Sequence, residues 1–377
     1  MHPTEGPDAL TGNGVSSMQI KMKPLAKDKR RKKPADESKL GFGKIFTDHM
    51  FTLKYKAGKG WHDATIGSHR PLKLAPTAMC LHYAQEIFEG MKAYRGKDGS
   101  IYLFRPQENI RRMNVSARRL CMPEMDEDLF LEAVKKLVLL DREWIPRGRG
   151  TAVYIRPTMI ATEAALGVHP SDSYLFFIVM GPVGAYYPEG FSPTKIYVSE
   201  EYVRSAPGGT GFTKAGGNYA ASLFANRIAE EMGYTQVLWL DAVNKKYVEE
   251  VGTSNIFFLI GDELVTPPLE GTILPGVTRD SVIRMARSWG RKVSERRISM
   301  DEILAAHKNG SLKESFASGT AAIVSPVGQF YYKGEAFVIN GGKTGPLVEK
   351  LYNEILQIQY GDKNDPFGWR MKVSEEG

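Results

Sequence analysis

The sequence predicts a mixed α+β chain folded as two domains, and three observations point there. Strand-period and helix-period segments follow one another without a strict βαβ alternation. The stretch Gly181–Pro193 packs three Gly and three Pro into thirteen residues near mid-chain, a density that interrupts both helix and strand. The length of 377 residues suggests about two domains at roughly 150 residues each. The expected layout is a tail over 1–40, a smaller α+β domain over 41–183, a linker over 184–194 and a larger α+β domain over 195–377.

The first 39 residues carry nine Lys or Arg against five Asp or Glu, and no aromatic residue precedes Phe42. Eight of the nine bases lie between Lys21 and Lys33. Such a stretch buries too little apolar surface to offset its ordering entropy, so a disordered basic tail is expected. It supplies +4 of the chain's net charge of +7. A solvated tail fits this better than a nuclear or nucleic-acid tag. Residues 1–20 hold no Lys or Arg, which disfavours a mitochondrial presequence, and the start lacks a secretory apolar core. A cytoplasmic location is the expectation.

Along the first half, strands are expected at Met50–Lys56, Ile101–Arg105, Thr151–Ala161 and Tyr174–Met180. Pro106 can open a helix at its first position, continuing through Arg118 and Arg119. Asp126–Trp144 reads as a helix with Phe130, Ala133, Val134, Leu137, Leu140 and Trp144 on one face. In the second half, a strand at Lys195–Ser199 leads to a glycine-rich loop, Gly208–Gly217. Asn218 is a suitable N-cap for a helix that Gly233 closes, with Ala221, Phe224, Ala225, Ile228 and Met232 as its apolar face. Strands follow at Gln236–Leu240 and Tyr247–Glu250, and Asn255–Ile260 with Glu263–Thr266 reads as a hairpin across Gly261-Asp262. Helices complete the chain at Thr278–Trp289, Met300–Asn309 and Gly345–Tyr360.

Composition removes several function classes. Hydrophobic residues make up 42% and charged residues 25%, ordinary for a globular protein. Cys80 and Cys121 are the only cysteines, too few for a disulfide framework or a cysteine zinc site. Apolar runs such as Leu175–Met180 are too short to span a bilayer. The seven histidines show no ligand-like pairing, so no metal is expected.

The most unusual local feature surrounds Lys214. It is the only charged residue among the 22 between Arg204 and Arg227, and glycines flank it. Isolation among small and apolar residues suits a buried lysine, and desolvation favours the neutral amine that an imine-forming nucleophile requires. A lysine exposed at a loop tip is the plain alternative. The Walker pattern fails here, because Thr213 precedes Lys214 and Ala215 follows it. Gly271–Arg279 is a second candidate: a glycine turn enters a helix, leaving N–H groups near Val277 and Thr278 for an anion. An ordinary helix start reads the same way. Alternation along Thr151–Ala161 sets Tyr154, Arg156 and Thr158 on one side, facing either a polar pocket or water. Glu249 and Glu250 pose the same question, and Arg112 with Arg111, Arg118 and Arg119 reads alone as a solvated basic face.

Six segments together resemble one family: Phe88–Arg95, Tyr154–Pro157, Lys214–Tyr219, Glu250–Phe257, Leu274–Val277 and Ser318–Ala321, in the family's order. From about Phe42 to Tyr360 the chain is similar to the branched-chain amino acid aminotransferases of the fold-type IV pyridoxal-phosphate class. The resemblance implies that two-domain α+β fold with pyridoxal 5'-phosphate between the domains. It implies reversible ping-pong transfer of the amino group of Leu, Ile or Val to 2-oxoglutarate, with Lys214 as the Schiff-base lysine. Glu250 would pair with the pyridine nitrogen, leaving Glu249 outward. Tyr219 would bond the cofactor's phenolic oxygen; Arg112, Val277, Thr278 and Thr320 would hold its phosphate, and Thr253 would join the cofactor site. The substrate carboxylate would lie near Thr320, Ala321 and Tyr83, against a wall of Phe88, Tyr154 and Tyr186 with Arg156 close by. The family implies a homodimer, with neither nucleic acid nor membrane as partner. Ala322 and Ser325 stand where some animal members carry paired cysteines. D-amino acid aminotransferases and aminodeoxychorismate lyases share the Lys and Glu logic but are shorter and lack much of the first-half pattern. A basic-tailed nucleic-acid binder would need a basic stripe in the folded part, which is nearly charge-balanced.

Overall fold

The computed structural model describes residues 18–184 and 191–374. The first sheet gathers β1 (Lys21–Met22), β2 (His49–Lys56), β3 (Gly60–Ser68), β4 (Glu86–Phe88), β5 (Met91–Arg95), β6 (Ile101–Phe104), β7 (Ala152–Ala161) and β8 (Ser173–Val183). The second gathers β9 (Thr194–Val198), β10 (Gln236–Leu240), β11 (Val248–Val251), β12 (Ser254–Ile260), β13 (Glu263–Thr266), β14 (Lys292–Glu295), β15 (Leu312–Gly319), β16 (Ile323–Tyr332) and β17 (Glu335–Val338). A last strand, β18 (Arg370–Val373), returns to the first sheet and pairs antiparallel with β6. The segment 195–377 is therefore not one unit to its end.

The first sheet runs β1-β3-β2-β8-β7-β5-β6-β18, with β4 attached to β7. The second runs β11-β10-β9-β16-β15-β12-β13-β14, and a further β11–β12 pairing makes a closed ring of pairings out of β11 to β12. The predicted hairpin is present as β12–β13, with Ile260 opposite Glu263. Helices α1 (Met79–Tyr83), α2 (Pro106–Arg119) and α3 (Glu127–Leu140) belong to the first half. The second half contributes α4 (Gly216–Ala220), α5 (Leu223–Glu231), α6 (Val277–Ser288), α7 (Met300–Lys308) and α8 (Pro346–Tyr360). An apolar seam joins the sheets: Tyr94, Phe104 and Val183 of the first share a cluster with Phe257 and Phe316 of the second and with Leu351 and Ile355 of α8. No helix among the described residues is long and apolar enough to cross a membrane.

Three expectations need correction. Residues 18–40 are not a disordered tail. β1 pairs in parallel with β3, Ile20 is 4% exposed, and the Arg31 guanidinium donates to the Thr47 carbonyl at 3.1 Å. The Leu25 N–H bonds the His49 ring at 2.9 Å, and Glu37 accepts from the Arg147 and Gly148 N–H groups. A few anchors and specific hydrogen bonds hold a segment whose average composition is polar. Residues 1–17 lie outside the described residues, as do 185–190 of the expected linker.

The helix expected over 126–144 stops at Leu140. Asp141 leaves it to bond the backbone N–H and ring of His49 at 3.0 and 2.6 Å, and Trp144 sits in a separate turn with its indole on Asp48. The helix expected from Asn218 is two, α4 and α5, broken at Ser222. Asn218 is inside α4, where its amide donates to the Thr210 and Thr213 carbonyls at 2.9 and 3.0 Å. α5 buries its small side chains, Ala225 and Ala229, against Val237 and Trp239, which lets the helix approach the sheet closely. Phe224 and Met232, expected inside, are 59% and 44% exposed.

Candidate active site

The backbone around Lys214 is extended rather than helical, with Ala215 at φ −93° and ψ 141°. Three contacts hold it: the Lys214 N–H donates to the Ser116 hydroxyl at 3.0 Å, its carbonyl accepts from the Phe88 N–H at 3.0 Å, and Ala215 bridges Ile87. This strip presses Lys214 onto β4, and α4 then carries Tyr219 back beside it. The Lys214 Nζ bonds the Tyr219 hydroxyl at 2.9 Å and lies 5.0 Å from the centre of the Phe88 ring. Both side chains open into a cavity of about 500 Å³, a size that suits a cofactor with a small substrate.

The other walls come from both sheets. β7 contributes Tyr154 and Arg156, so its expected polar side faces a pocket and not bulk water. The Arg156 guanidinium stacks 4.6 Å from the Phe88 ring and donates to the Tyr154 hydroxyl at 3.1 Å. β11 contributes Glu250, and Thr253 follows at its turn. The end of β15 brings Thr320 and Ala321 to the rim, and α6 brings Val277 and Thr278. No side chain caps the first N–H groups of α6, which leaves them and the positive end of the helix dipole toward the cavity.

Two buried ion pairs set the electrostatics. Arg112 is turned inward, not solvated: it is 8% exposed and forms a two-pronged pair with Glu89 at 2.7 and 2.9 Å. Burial opposes the Glu89 charge most strongly, but Arg112, Lys214 and Asn109 together outweigh it and hold the carboxyl below its ordinary range. Glu250 is 2% exposed; one oxygen accepts from the Leu274 N–H at 2.8 Å and the other meets Arg204 at 2.8 Å. Burial pushes its carboxyl upward, with Arg204 working against the rise. The cavity therefore joins an amine, an uncapped helix end with an arginine, and a buried carboxylate.

An amino-transferase class IV model matches residues 86–330, and branched-chain-amino-acid aminotransferase 2 of Bacillus subtilis (strain 168) is 52% identical over 344 residues, 91% of this chain and 95% of that protein. The chain belongs to the class IV aminotransferases, in their branched-chain group. Two solved structures are similar in fold. The branched-chain amino acid aminotransferase of Escherichia coli gives a TM-score of 0.71 at 26% identity, over 85% of this chain and 99% of that one. The branched-chain amino acid aminotransferase of Thermobaculum terrenum, in its PLP-form, gives 0.70 at 24%, over 86% and 98%.

In this aminotransferase one expected residue stands apart from the cavity. Tyr83 is 38% exposed and its hydroxyl donates to the Leu166 carbonyl, so within this chain it does not line the site. Tyr186 lies outside the described residues. Sequence reasoning missed Glu89, Arg204 and Asn255, whose amide donates to Glu250 at 3.2 Å. It also missed Ser318, a residue that borders the cavity and whose buried hydroxyl lacks a partner. Glu89 stands inside the Phe88–Arg95 segment, the one signal that pointed to it.

Glu249 also differs from expectation. It is not solvated but 7% exposed, with one oxygen lacking any partner, and it lines a separate cavity with Thr272 and Pro267. Burial pushes its carboxyl up to about 7, and the Glu250 charge adds to the effect. The unfolded chain therefore releases this proton before the folded one does, so stability contributed by the group falls as pH rises from about 4.5 to about 7. Glu249→Gln is expected to raise the Tm by a few degrees at pH 8 and by much less near pH 4.5, as followed by thermal melting. An equal shift at both pH values would contradict this assignment.

Proposed function

We propose that the chain transfers the amino group of leucine, isoleucine or valine to 2-oxoglutarate with pyridoxal 5'-phosphate, Lys214 being the Schiff-base lysine. One observation carries the reading: the Lys214 amine, bonded to Tyr219, shares a cavity with an uncapped helix end and arginine on one side and the buried Glu250 on another. Those groups fit a phosphorylated pyridine aldehyde. Arg112 and the N–H groups of Val277 and Thr278 suit a phosphate dianion, with Thr320 as a further donor. A Cβ on Gly276 would collide with Asn255, so glycine is what lets the chain pass this close at the start of α6. Thr253 completes the wall.

When bound, the cofactor supplies an electrophilic carbon for the amine and a ring that takes up the electron pair of the substrate's Cα–H bond. The protein's own groups do the rest. Lys214 moves the proton at Cα, and Tyr219 holds the amine in place. Glu250, fixed by Arg204, Asn255 and the Leu274 N–H, keeps a negative charge opposite the ring nitrogen. The substrate carboxylate is received at the Thr320-Ala321 turn. Phe88 and Tyr154 enclose an aliphatic side chain, worth about 0.8 kcal/mol per methylene buried. Arg156 and the Tyr154 hydroxyl offer the same space to the distal carboxylate of glutamate. One pocket thereby serves both half-reactions, the 2-oxo acid leaving before 2-oxoglutarate enters. Purified protein with 2-oxoglutarate is expected to form glutamate from Leu, Ile and Val at rates at least about tenfold above those with Ala or Asp. A reversed order of donors would overturn the substrate assignment.

A further inference from the structure

Lys92 lies in β5 between Met91 and Ala93, in a strand whose other members are chiefly apolar and buried. Its register partner on β7 is Tyr154, so both side chains leave the sheet on the same face, the face on which Tyr154 lines the cavity. Lys92 is 6% exposed. Its Nζ crosses to the second half of the chain and donates to the Ala321 carbonyl at 2.6 Å.

Five Lys and Arg side chains are buried among the described residues: Lys92, Arg105, Arg112, Arg204 and Arg279. Each arginine has a carboxylate, respectively Asp280, Glu89, Glu250 and Glu295. Lys92 has none among the described residues, and burial pulls its ammonium down to about 8. A buried charge without a counter-charge is strongly unfavourable, and the proteins that keep one usually do so at a functional site. Here the lysine holds the rim turn of the active site. The C=O and following N–H of a trans peptide point in opposite directions, so this bond also sets the direction of the Ala322 N–H.

We propose that Lys92 is a positioning residue for the substrate's α-carboxylate, fixing the Thr320-Ala321 turn through the Ala321 carbonyl and supplying the positive charge that the carboxylate balances. The proposal rests on the function proposed above. It accounts for a charge that no carboxylate among the described residues balances, and it places a carboxylate-specific device on the first sheet, opposite the turn it controls.

The test compares a ligand that carries the carboxylate without the amine with one that carries the amine without the carboxylate. Holoenzyme of the wild type, Lys92→Met and Lys92→Arg is titrated with 4-methylvalerate by calorimetry and with 3-methylbutylamine by the cofactor's visible band. Lys92→Met is expected to weaken 4-methylvalerate at least about tenfold while changing the amine by less than about threefold, and Lys92→Arg to restore most of the acid affinity. Equal losses for acid and amine, or unchanged acid binding, overturn the proposal. Should Lys92→Met not fold, Lys92→Gln, which keeps a donor for Ala321 without the charge, carries the same comparison. A wild-type holoenzyme that neither binds 4-methylvalerate nor reacts with leucine overturns the proposed function, and Lys92 with it. A wild type that does both, with acid and amine lost together in the variant, overturns Lys92 alone.

Discussion

Lys214→Ala is expected to lower amino transfer from leucine to 2-oxoglutarate by at least about a thousandfold, while the protein still folds. The size follows from the number of tasks resting on one Nζ. It is the amine that opens into the cavity beside Tyr219, and no other lysine lines that cavity among the described residues. The variant therefore loses the one cavity amine to which proton transfer at Cα is assigned. The loss of stability should be small, because Lys214 is only half buried and forms no ion pair in which a partner would be stranded. A variant that keeps more than about a tenth of wild-type turnover would show that another residue carries the chemistry.

Glu250→Gln comes second, with an expected fall in kcat of about a hundredfold or more. The amide keeps the shape and the acceptor for Leu274, and it removes only the charge. Two consequences follow from that loss. The ring nitrogen faces a neutral group, and Arg204, 5% exposed at its side chain, is left without its carboxylate. The second effect is one of stability, on the order of 3 kcal/mol for a stranded buried charge, so turnover is measured well below the melting transition. Glu249→Gln should change kcat by less than about threefold, since that carboxyl lines a different cavity. Equal effects of the two variants would mean that Glu250 is the wrong carboxylate to single out for the ring nitrogen.

Much of this site was legible in the chain because its signals are local. The isolation of Lys214 needs only 22 neighbouring residues to be noticed. The two-residue alternation along β7 already placed Tyr154 and Arg156 on one side, and the Pro-Gly turn before Val277 marked an open helix end. What stayed hidden depends on partners far apart in sequence. Glu89 reads as one acid in a polar segment until Arg112, 23 residues on, turns inward to meet it. Arg204 and Glu250 meet across the fold, and the Lys92–Ala321 bond spans 229 residues. Composition misled over residues 18–40, because an average charge says nothing about the few contacts that dock a strand as short as β1. It misled for α5 as well, where the large apolar residues are exposed and the alanines are packed.

The account stands on the Lys214 amine being the point of covalent attachment, and one measurement addresses that directly. The purified holoenzyme is reduced with borohydride, digested, and searched by mass spectrometry for the phosphopyridoxyl mass on each lysine. The modification is expected on the peptide containing Lys214, at close to one per chain, and is expected to vanish in Lys214→Ala. Modification concentrated on any other lysine, Lys92 included, or a protein that takes up no pyridoxal phosphate at all, would contradict it.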